Sequence, residues 1–387
     1  MLNIILTQTT ELDEPELALE QLLKRSDVEK NLKKNSVGII HCHDLFIKSG
    51  FAKLVAEALP FPAVGMNTFL HATSLSPDEN ILFSLMILTS DEEKFRVGVS
   101  DPLEANISVP MEKLYRDLRR EVKGRAAFGL LFTPPLITGE PIGELLVDIL
   151  NADEERIPCF GGMAAGYTDF FKDPAVIHDG ETHLDRMALL LVEGDTVPRF
   201  KIFQSEDFGE IYKKGIITRS RGHVIQEIDN RPPLEFFESS GLCANGAISG
   251  IHAIPLYLDR KDGSPPVIRG IDSQLKDGTI TLPGRVPEGT TMGLGLLAPA
   301  SVIENGKALG TWIRDERAAC SLVYSCISRN FALGLDYTKE IEAVKANVAK
   351  DSKYVFSYSA SEFCPVLHED GKWHNEYHNM TMIATSF

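Results

Sequence analysis

The sequence has no run of the roughly 18 to 20 apolar residues that a membrane-spanning helix needs, and its opening, Met1-Leu2-Asn3-Ile4-Ile5-Leu6-Thr7, has neither a basic head nor a cleavage region. That opening reads as a β-strand, and no membrane partner is expected. No C-x-x-C pair occurs among the six cysteines (Cys42, Cys159, Cys243, Cys320, Cys326, Cys364), so neither a zinc knuckle nor a secreted disulfide scaffold is implied. A cytoplasmic, reducing setting is the expectation. Positive charge is scarce: 39 Lys and Arg against 55 Asp and Glu leave a formal charge of −16, which repels nucleic acid and anionic lipid unless basic residues gather on one face. The densest basic stretch, Arg119-Arg120 with Lys123 and Arg125, is interrupted by Asp117 and Glu121 and reads as a solvated helix face. Glycine and proline, 30 and 21 of 387 residues, are at ordinary levels, and 43% of the chain is hydrophobic, which excludes collagen-like and disordered classes and leaves a folded chain of two or three domains.

What is present is a repeated pattern. Phe51, Leu54, Val55, Ala58 and Leu59 form the i, i+3, i+4, i+7, i+8 stripe of a surface helix, with Ser49 as its expected cap and Pro60 and Pro62 as its stop. Ile142, Leu145, Leu146, Ile149 and Leu150 repeat that spacing at a constant offset of 91 (142 minus 51), and the preceding strands keep it, Val37-Gly38-Ile39-Ile40 against Phe128-Gly129-Leu130-Leu131. Pro62-Ala63-Val64-Gly65-Met66 then matches Pro158-Cys159-Phe160-Gly161-Gly162-Met163. Two more strands follow in each copy, residues 85–88 with 95–97 and residues 189–192 with 200–202, each pair expected as a hairpin across a polar turn. Asp13 with Glu16 reads as a capping box for a first helix, and residues 111–123 supply a second.

From about Gly215 the texture changes to Gly, Pro and Asp between short apolar runs. Ile216-Ile217-Thr218 and residues 224–228 read as a hairpin, followed by a short helix led by Pro232-Pro233. Strands are expected at 267–271, 279–282, 292–297, 321–326, 354–359 and 380–385, with a helix near 338–348, while 241–264 is ambiguous. The expected fold class is α/β of the mixed α+β kind: duplicated strand-helix-strand-hairpin units forming mixed sheets, then a β-rich C-terminal domain. The expected partition is 1–35 (strand and helix), 36–214 (duplicated α/β domain) and 215–387 (β-rich domain).

His41-Cys42-His43-Asp44 has metal-ligand composition, but the matching positions in the second copy are Phe132, Thr133, Pro134 and Pro135, and no third ligand is evident. His374 and His378 stand four apart, as zinc on a helix would require, yet the Gly371 turn before them and the β-rich run after them argue for turn and strand. Neither is taken as a metal site. Gly161-Gly162 follows a strand without the G-x-G-x-x-G or Walker pattern, so no cofactor is expected; its functional reading is backbone amides facing a pocket at a strand end. Polar groups also concentrate at three later strand ends: Ser325-Cys326-Ile327-Ser328-Arg329, Tyr358-Ser359-Ala360-Ser361-Glu362 and His378-Asn379-Met380-Thr381.

In order, these three segments resemble the C-terminal half of the FIST family, the F-box and intracellular signal transduction proteins, whose pattern is a strand ending in C-x-G-R, a later S-x-G-E-x-x-P and a closing H-N-x-T. Residues 224–235 and Ile157-Pro158-Cys159-Phe160-Gly161-Gly162 are similar to two further family stretches. Ser328 and Ser361 stand where the family usually has glycine. The resemblance implies a stand-alone member without an F-box that senses a small ligand, an amino acid or related carboxylate, at the junction of two domains, with a signalling protein as a further partner. The implied ligand-binding residues are Gly161, Gly162, Ser325, Cys326, Arg329, Glu362, His378 and Asn379. In this reading Arg329 holds the carboxylate of a zwitterion and Glu362 its ammonium. Two alternatives stand beside it: a hydrolase or transferase with Cys326 as nucleophile and His378 as base, and a protein-binding adaptor without a small ligand. No acidic third member supports the enzyme.

Overall fold

A computed structural model describes residues 2–24, 28–75, 81–104, 106–137, 139–167, 173–204, 211–263, 266–368 and 370–387; Met1 and Ser264, included in the readings above, lie outside them. The first unit runs β1 (Asn3–Thr9), α1 (Pro15–Lys24), α2 (Val28–Asn31), β2 (Asn35–Cys42), α3 (Asp44–Lys48), α4 (Phe51–Ala58), β3 (Ala63–Asn67), β4 (His71–Thr73) and β5 (Phe83–Ser90). Of the apolar stripe of α4, Phe51 and Val55 are buried together with Ala52, Leu54 and Leu59 are half-buried, and Ala58 is exposed. Ser49 does not cap α4: it closes α3, and Gly50, in the left-handed region, leads into the next helix.

The second unit runs β6 (Lys94–Val99), α5 (Ser108–Glu121), β7 (Ala126–Thr133), a small hairpin of β8 (Leu136–Ile137) and β9 (Glu140–Pro141), α6 (Gly143–Asn151), β10 (Cys159–Met163), β11 (Val176–His178), β12 (Glu181–His183) and β13 (Ala188–Glu193). Next is β14 (Arg199–Phe203). Strands β15 (Lys213–Arg221), β16 (Val224–Ile228), β17 (Cys243–Ala244), β18 (Ala247–Ile248), β19 (Leu256–Asp259), β20 (Val267–Arg269), β21 (Ser273–Gln274), β22 (Ile280–Thr281) and β23 (Thr291–Leu294) then build an inserted β-module around α7 (Pro233–Glu238). The chain finishes with α8 (Pro299–Glu316), β24 (Ser321–Cys326), α9 (Ile327–Leu333), α10 (Lys339–Asn347), β25 (Tyr354–Ser359), β26 (Glu362–Leu367), β27 (Trp373–His378) and β28 (Met382–Ser386).

One four-strand order occurs three times: β1-β5-β2-β3, β6-β13-β7-β10 and β14-β28-β24-β25. In each, the first two pairings are antiparallel and the last is parallel. The expected hairpins are therefore not formed. β6 leaves β5 to pair with β13, and β14 leaves β13 to pair with β28, because each strand begins the next sheet instead of closing its own. The sheets also exchange strands in a ring. β4 of the first unit extends β25, the β11–β12 hairpin of the second extends β3, and the β26–β27 hairpin of the last extends β10.

The three sheets turn their apolar faces to one core, which includes Ile39 and Met66, Phe132 and Phe160, and Leu322, Tyr324 and Ile383. Where they meet, His41 of β2 lies 5.5 Å from the Tyr324 ring and 6.1 Å from the Phe132 ring, centroid to centroid, and its Nε2 is 3.0 Å from the Tyr324 hydroxyl. Burial pushes the His41 pKa down to about 3, so it stays neutral at the centre of the core. The β-module has a separate core, with Ile217, Phe237, Leu256, Ile280 and Met292 in it. The hairpin expected at residues 216–228 forms, with a bulge, as β15 and β16. Among the described residues no helix is long and apolar enough to cross a membrane.

Candidate functional site

The residues expected to form the site divide into a buried seam and a cleft wall. Gly161 and Gly162 belong to the seam. Their backbones pair with Leu131 and Phe132 of β7 on one side and with Phe363 and Glu362 of β26 on the other, so they do not face a pocket. Gly161 has φ +154°, and a Cβ there would sit 2.0 Å from the Leu131 carbonyl oxygen; a Cβ on Gly162 would press on Tyr324, Met66 and Ser359. The pair lets three sheets approach one another, in place of the cradle expected from its composition.

Arg329 and Glu362 are both fully buried, but they do not form two ends of one zwitterion site. Arg329 points to Glu340 of α10, with Nη2 at 2.5 Å and Nε at 2.9 Å from Oε1, and Nη1 reaches Asn305 at 3.3 Å. Glu340 Oε2 accepts from Ser325 Oγ at 3.0 Å and from Tyr358 Oη at 2.8 Å. Ser325 thus serves this network too. Glu362 accepts instead from Ser359 at 3.0 Å and Thr381 at 3.1 Å, and burial pushes its carboxyl well above the usual range. A buried arginine satisfied by a buried glutamate has no charge left over for a ligand.

Cys326 is closed off. Its thiol is fully buried and pushed up to about 12 by desolvation and the neighbouring Glu362, and Asn379 Nδ2 reaches its sulfur at 3.7 Å. His378 turns elsewhere: its Nε2 donates to the Cys364 carbonyl at 2.9 Å, and burial holds its pKa down at about 4. The nucleophile and base of the enzyme alternative are not in register. Native alkylation with iodoacetamide should therefore label half-buried Cys243 first and leave Cys320 and Cys326 equally protected until the protein unfolds, as peptide mapping would show. Rapid native labelling of Cys326 would contradict this burial.

His378 and Asn379 do line a cleft of about 480 Å³, between the β19–β20 edge of the module and the β26–β27 hairpin. Because residues two apart on a strand share a face, β27 presents His374, Glu376 and His378 to it together. His374 is 3.0 Å from Asp370 and 2.6 Å from Arg156, while His368 stacks on it at 3.9 Å and meets Glu376 at 2.9 Å. The strand expectation for His374 and His378 holds. His41, the other histidine weighed for metal, pairs with Tyr324, and His43 caps α3 by accepting from Leu45 N at 3.2 Å.

Across the cleft stand Arg260 and Arg269, which the sequence reading missed. Both reach Glu144 of α6, Arg269 at 3.0 Å with its guanidinium 4.7 Å from the Tyr377 ring centroid. Arg285 joins them, donating to Glu144 through its backbone at 2.8 Å and its side chain at 3.3 Å, and to Asp148 at 2.7 Å. These cations lower the Glu144 pKa to about 2 despite its burial. A second, smaller cavity of about 30 Å³ adjoins the cleft and shares Tyr377 and Asn379 with it. Ser328 and Ser361 line this cavity, and neither has a positive φ, so serine is accommodated there without backbone strain.

The fold and these cavities define a mixed α/β scaffold carrying a docked β-module, with a cleft of small-molecule size between them. The FIST N domain matches residues 36–231 and the FIST C domain residues 238–365. The chain belongs to the FIST family, whose domains are associated with signal transduction and sensing. No curated protein matches the chain.

Proposed function

We propose that this protein is a sensor that binds a small carboxylate, an amino acid or a related acid, in the cleft between the β-module and the β26–β27 hairpin. The observation that carries the reading is a pair of orphaned donors. Nε of Arg260 and Nε of Arg269 are buried without a partner, and both arginines line the cleft. Arg260, Arg269 and Arg285 set three positive charges against the two carboxylates of Glu144 and Asp148, so this wall keeps positive charge, and a cationic wall of planar guanidinium groups is where an acid would collect on a chain of charge −16. Asn379 and His378 supply polar contacts from the opposite side. Since one wall belongs to the module and the other to the hairpin, occupancy favours the seated module by RT ln(1 + [L]/Kd), and that seating is the signal a partner protein reads.

The test is calorimetry with a panel of amino acids and their deaminated analogues against wild type and Arg260→Gln. At least one carboxylate is expected to bind, and the variant should weaken it by about tenfold or more, the scale of one charge-assisted hydrogen bond. A panel with no binder, or a binder indifferent to Arg260→Gln, sinks the reading.

A further inference from the structure

The arginine wall is only one part of the cleft. The volume of about 480 Å³ falls in the range, ~300 to 1,000 Å³, that takes a whole small molecule, and Val267 and Ile268 of β20 and Val366 of β26 line it beside the charged groups. All three are half-buried. Val267 and Ile268 lean partly on the apolar clusters behind them, and Val366 joins no such cluster among the described residues. Aliphatic carbon left facing water on both walls of a cleft is stabilised when an apolar group displaces that water.

Strand register puts this apolar stretch in line with the arginines. The Arg269 guanidinium lies 4.7 Å from the Tyr377 ring centroid and the Gly270 N–H meets Asn379 Oδ1 at 2.5 Å, so β20 runs alongside β27 in the same direction. Val267, two residues before Arg269 and about 6.6 Å from it along the strand, therefore comes level with the half of β27 nearer its hairpin turn. There Val366 pairs with His374, whose ring stacks on His368 at 3.9 Å, which extends the aliphatic surface with an aromatic one. The spacing matches the reach from the carboxylate of an α-amino acid to the branch or ring of its side chain. Charged groups on this side are already engaged: Glu376 meets His368 at 2.9 Å, Asp370 meets His374 at 3.0 Å, and Asp262 has a partner of its own. A second charge on the ligand would have to displace one of these contacts after losing its own water.

We infer that the ligand is an acid with a branched aliphatic or aromatic side chain, of the chemical class of leucine and phenylalanine, whose carboxylate meets Arg260 and Arg269 while its hydrocarbon covers Val267, Ile268 and Val366. This rests on the carboxylate reading of the cleft and narrows it. Short acids and doubly charged acids satisfy the arginines but leave the apolar surface bare. Each methylene group that leaves water is worth about fourfold in affinity, so leucine should bind roughly tenfold tighter than alanine, or more, even with part of its side chain still in water.

The experiment is calorimetry of the full chain with two series, glycine, alanine, leucine and phenylalanine, and their deaminated counterparts acetate, propionate, isocaproate and hydrocinnamate, beside aspartate and lysine. Affinity should rise along whichever series binds, and the heat-capacity change of binding should become more negative with each larger side chain, the mark of apolar burial. Aspartate and lysine should bind no better than alanine. Val366→Asn should reduce the leucine-to-alanine or isocaproate-to-propionate affinity ratio by roughly fivefold. Because Val366 joins no core, this variant should fold as wild type does; if it does not, the heat-capacity trend in the unmodified protein decides. The inference is overturned, with the carboxylate reading intact, if acids bind with one affinity whatever their side chain, if aspartate or lysine binds best, or if folded Val366→Asn keeps the full preference. If no acid binds, both readings fall.

Discussion

Replacing Glu340 with alanine should cost about 3 to 5 kcal/mol of stability, the range measured when one partner of a buried ion pair is removed. Arg329 and Glu340 are both fully buried, and Glu340 takes four hydrogen bonds: two from Arg329, one from Ser325 and one from Tyr358. Without the carboxylate, two hydroxyls lose this acceptor and the buried guanidinium loses its counter-charge, keeping only Asn305. In a protein whose total stability is ~5 to 15 kcal/mol, that is a large fraction. Urea unfolding of wild type and Glu340→Ala measures it directly. A loss under 1 kcal/mol would mean that Arg329 finds water, contrary to its burial. The same geometry changes what Arg329→Lys should do: the point charge cannot span Oε1 and Asn305 as the fork does, so the variant should lose stability without any selective effect on carboxylate ligands.

Glu144→Gln should unseat the β-module. Glu144 holds Arg260, Arg269 and Arg285 at once, and among the described residues no other carboxylate is shared by all three. Arg269 is 3% exposed, so removing the charge opposite it strands a buried cation, at a cost of about 3 to 5 kcal/mol. Because the module joins the scaffold through this clamp, the loss should appear as faster hydrogen exchange and proteolysis within residues 211–297, ahead of the three-sheet core. The pH dependence has a definite sign. The Glu144 pKa falls from the usual 4.5 to about 2 in the folded state, so its stabilisation is complete above pH 4.5 and disappears as pH drops toward 2. Wild type should show this acid limb, and Glu144→Gln should flatten it. Identical limbs in the two proteins would show that the clamp does not hold the module.

Local pattern alone determined that strands and helices alternate at 37–59 and 128–150, since a 3.6-residue stripe and a short apolar run are each written in neighbouring residues. It also picked out His378 and Asn379, which it placed at the start of the closing strand; they stand instead at the end of β27, where they line the cleft. Strand partners were beyond its reach. Residues 85–88 and 95–97 are as good a hairpin as the sequence can offer, yet β5 and β6 join different sheets, because alternation specifies a strand without specifying what it pairs with. Helix α8 went unread for a related reason: Gly306 and Gly310 weaken its helical signal, and they are there because α10 passes so close that a Cβ would lie 2.8 Å from the Glu340 carbonyl oxygen and 2.6 Å from that of Val344. The charged centres were equally hidden. Arg269 and Glu144 are 125 residues apart, and Gly270 and Asn379 are 109 apart, so nothing in the neighbourhood of any one of them announces its partner. Tertiary structure alone decided that Arg329 is satisfied within the core while Arg260, Arg269 and Asp272 keep groups unpaired beside cavities, because whether a buried charge meets its opposite depends on which distant segments the folded sheets bring together.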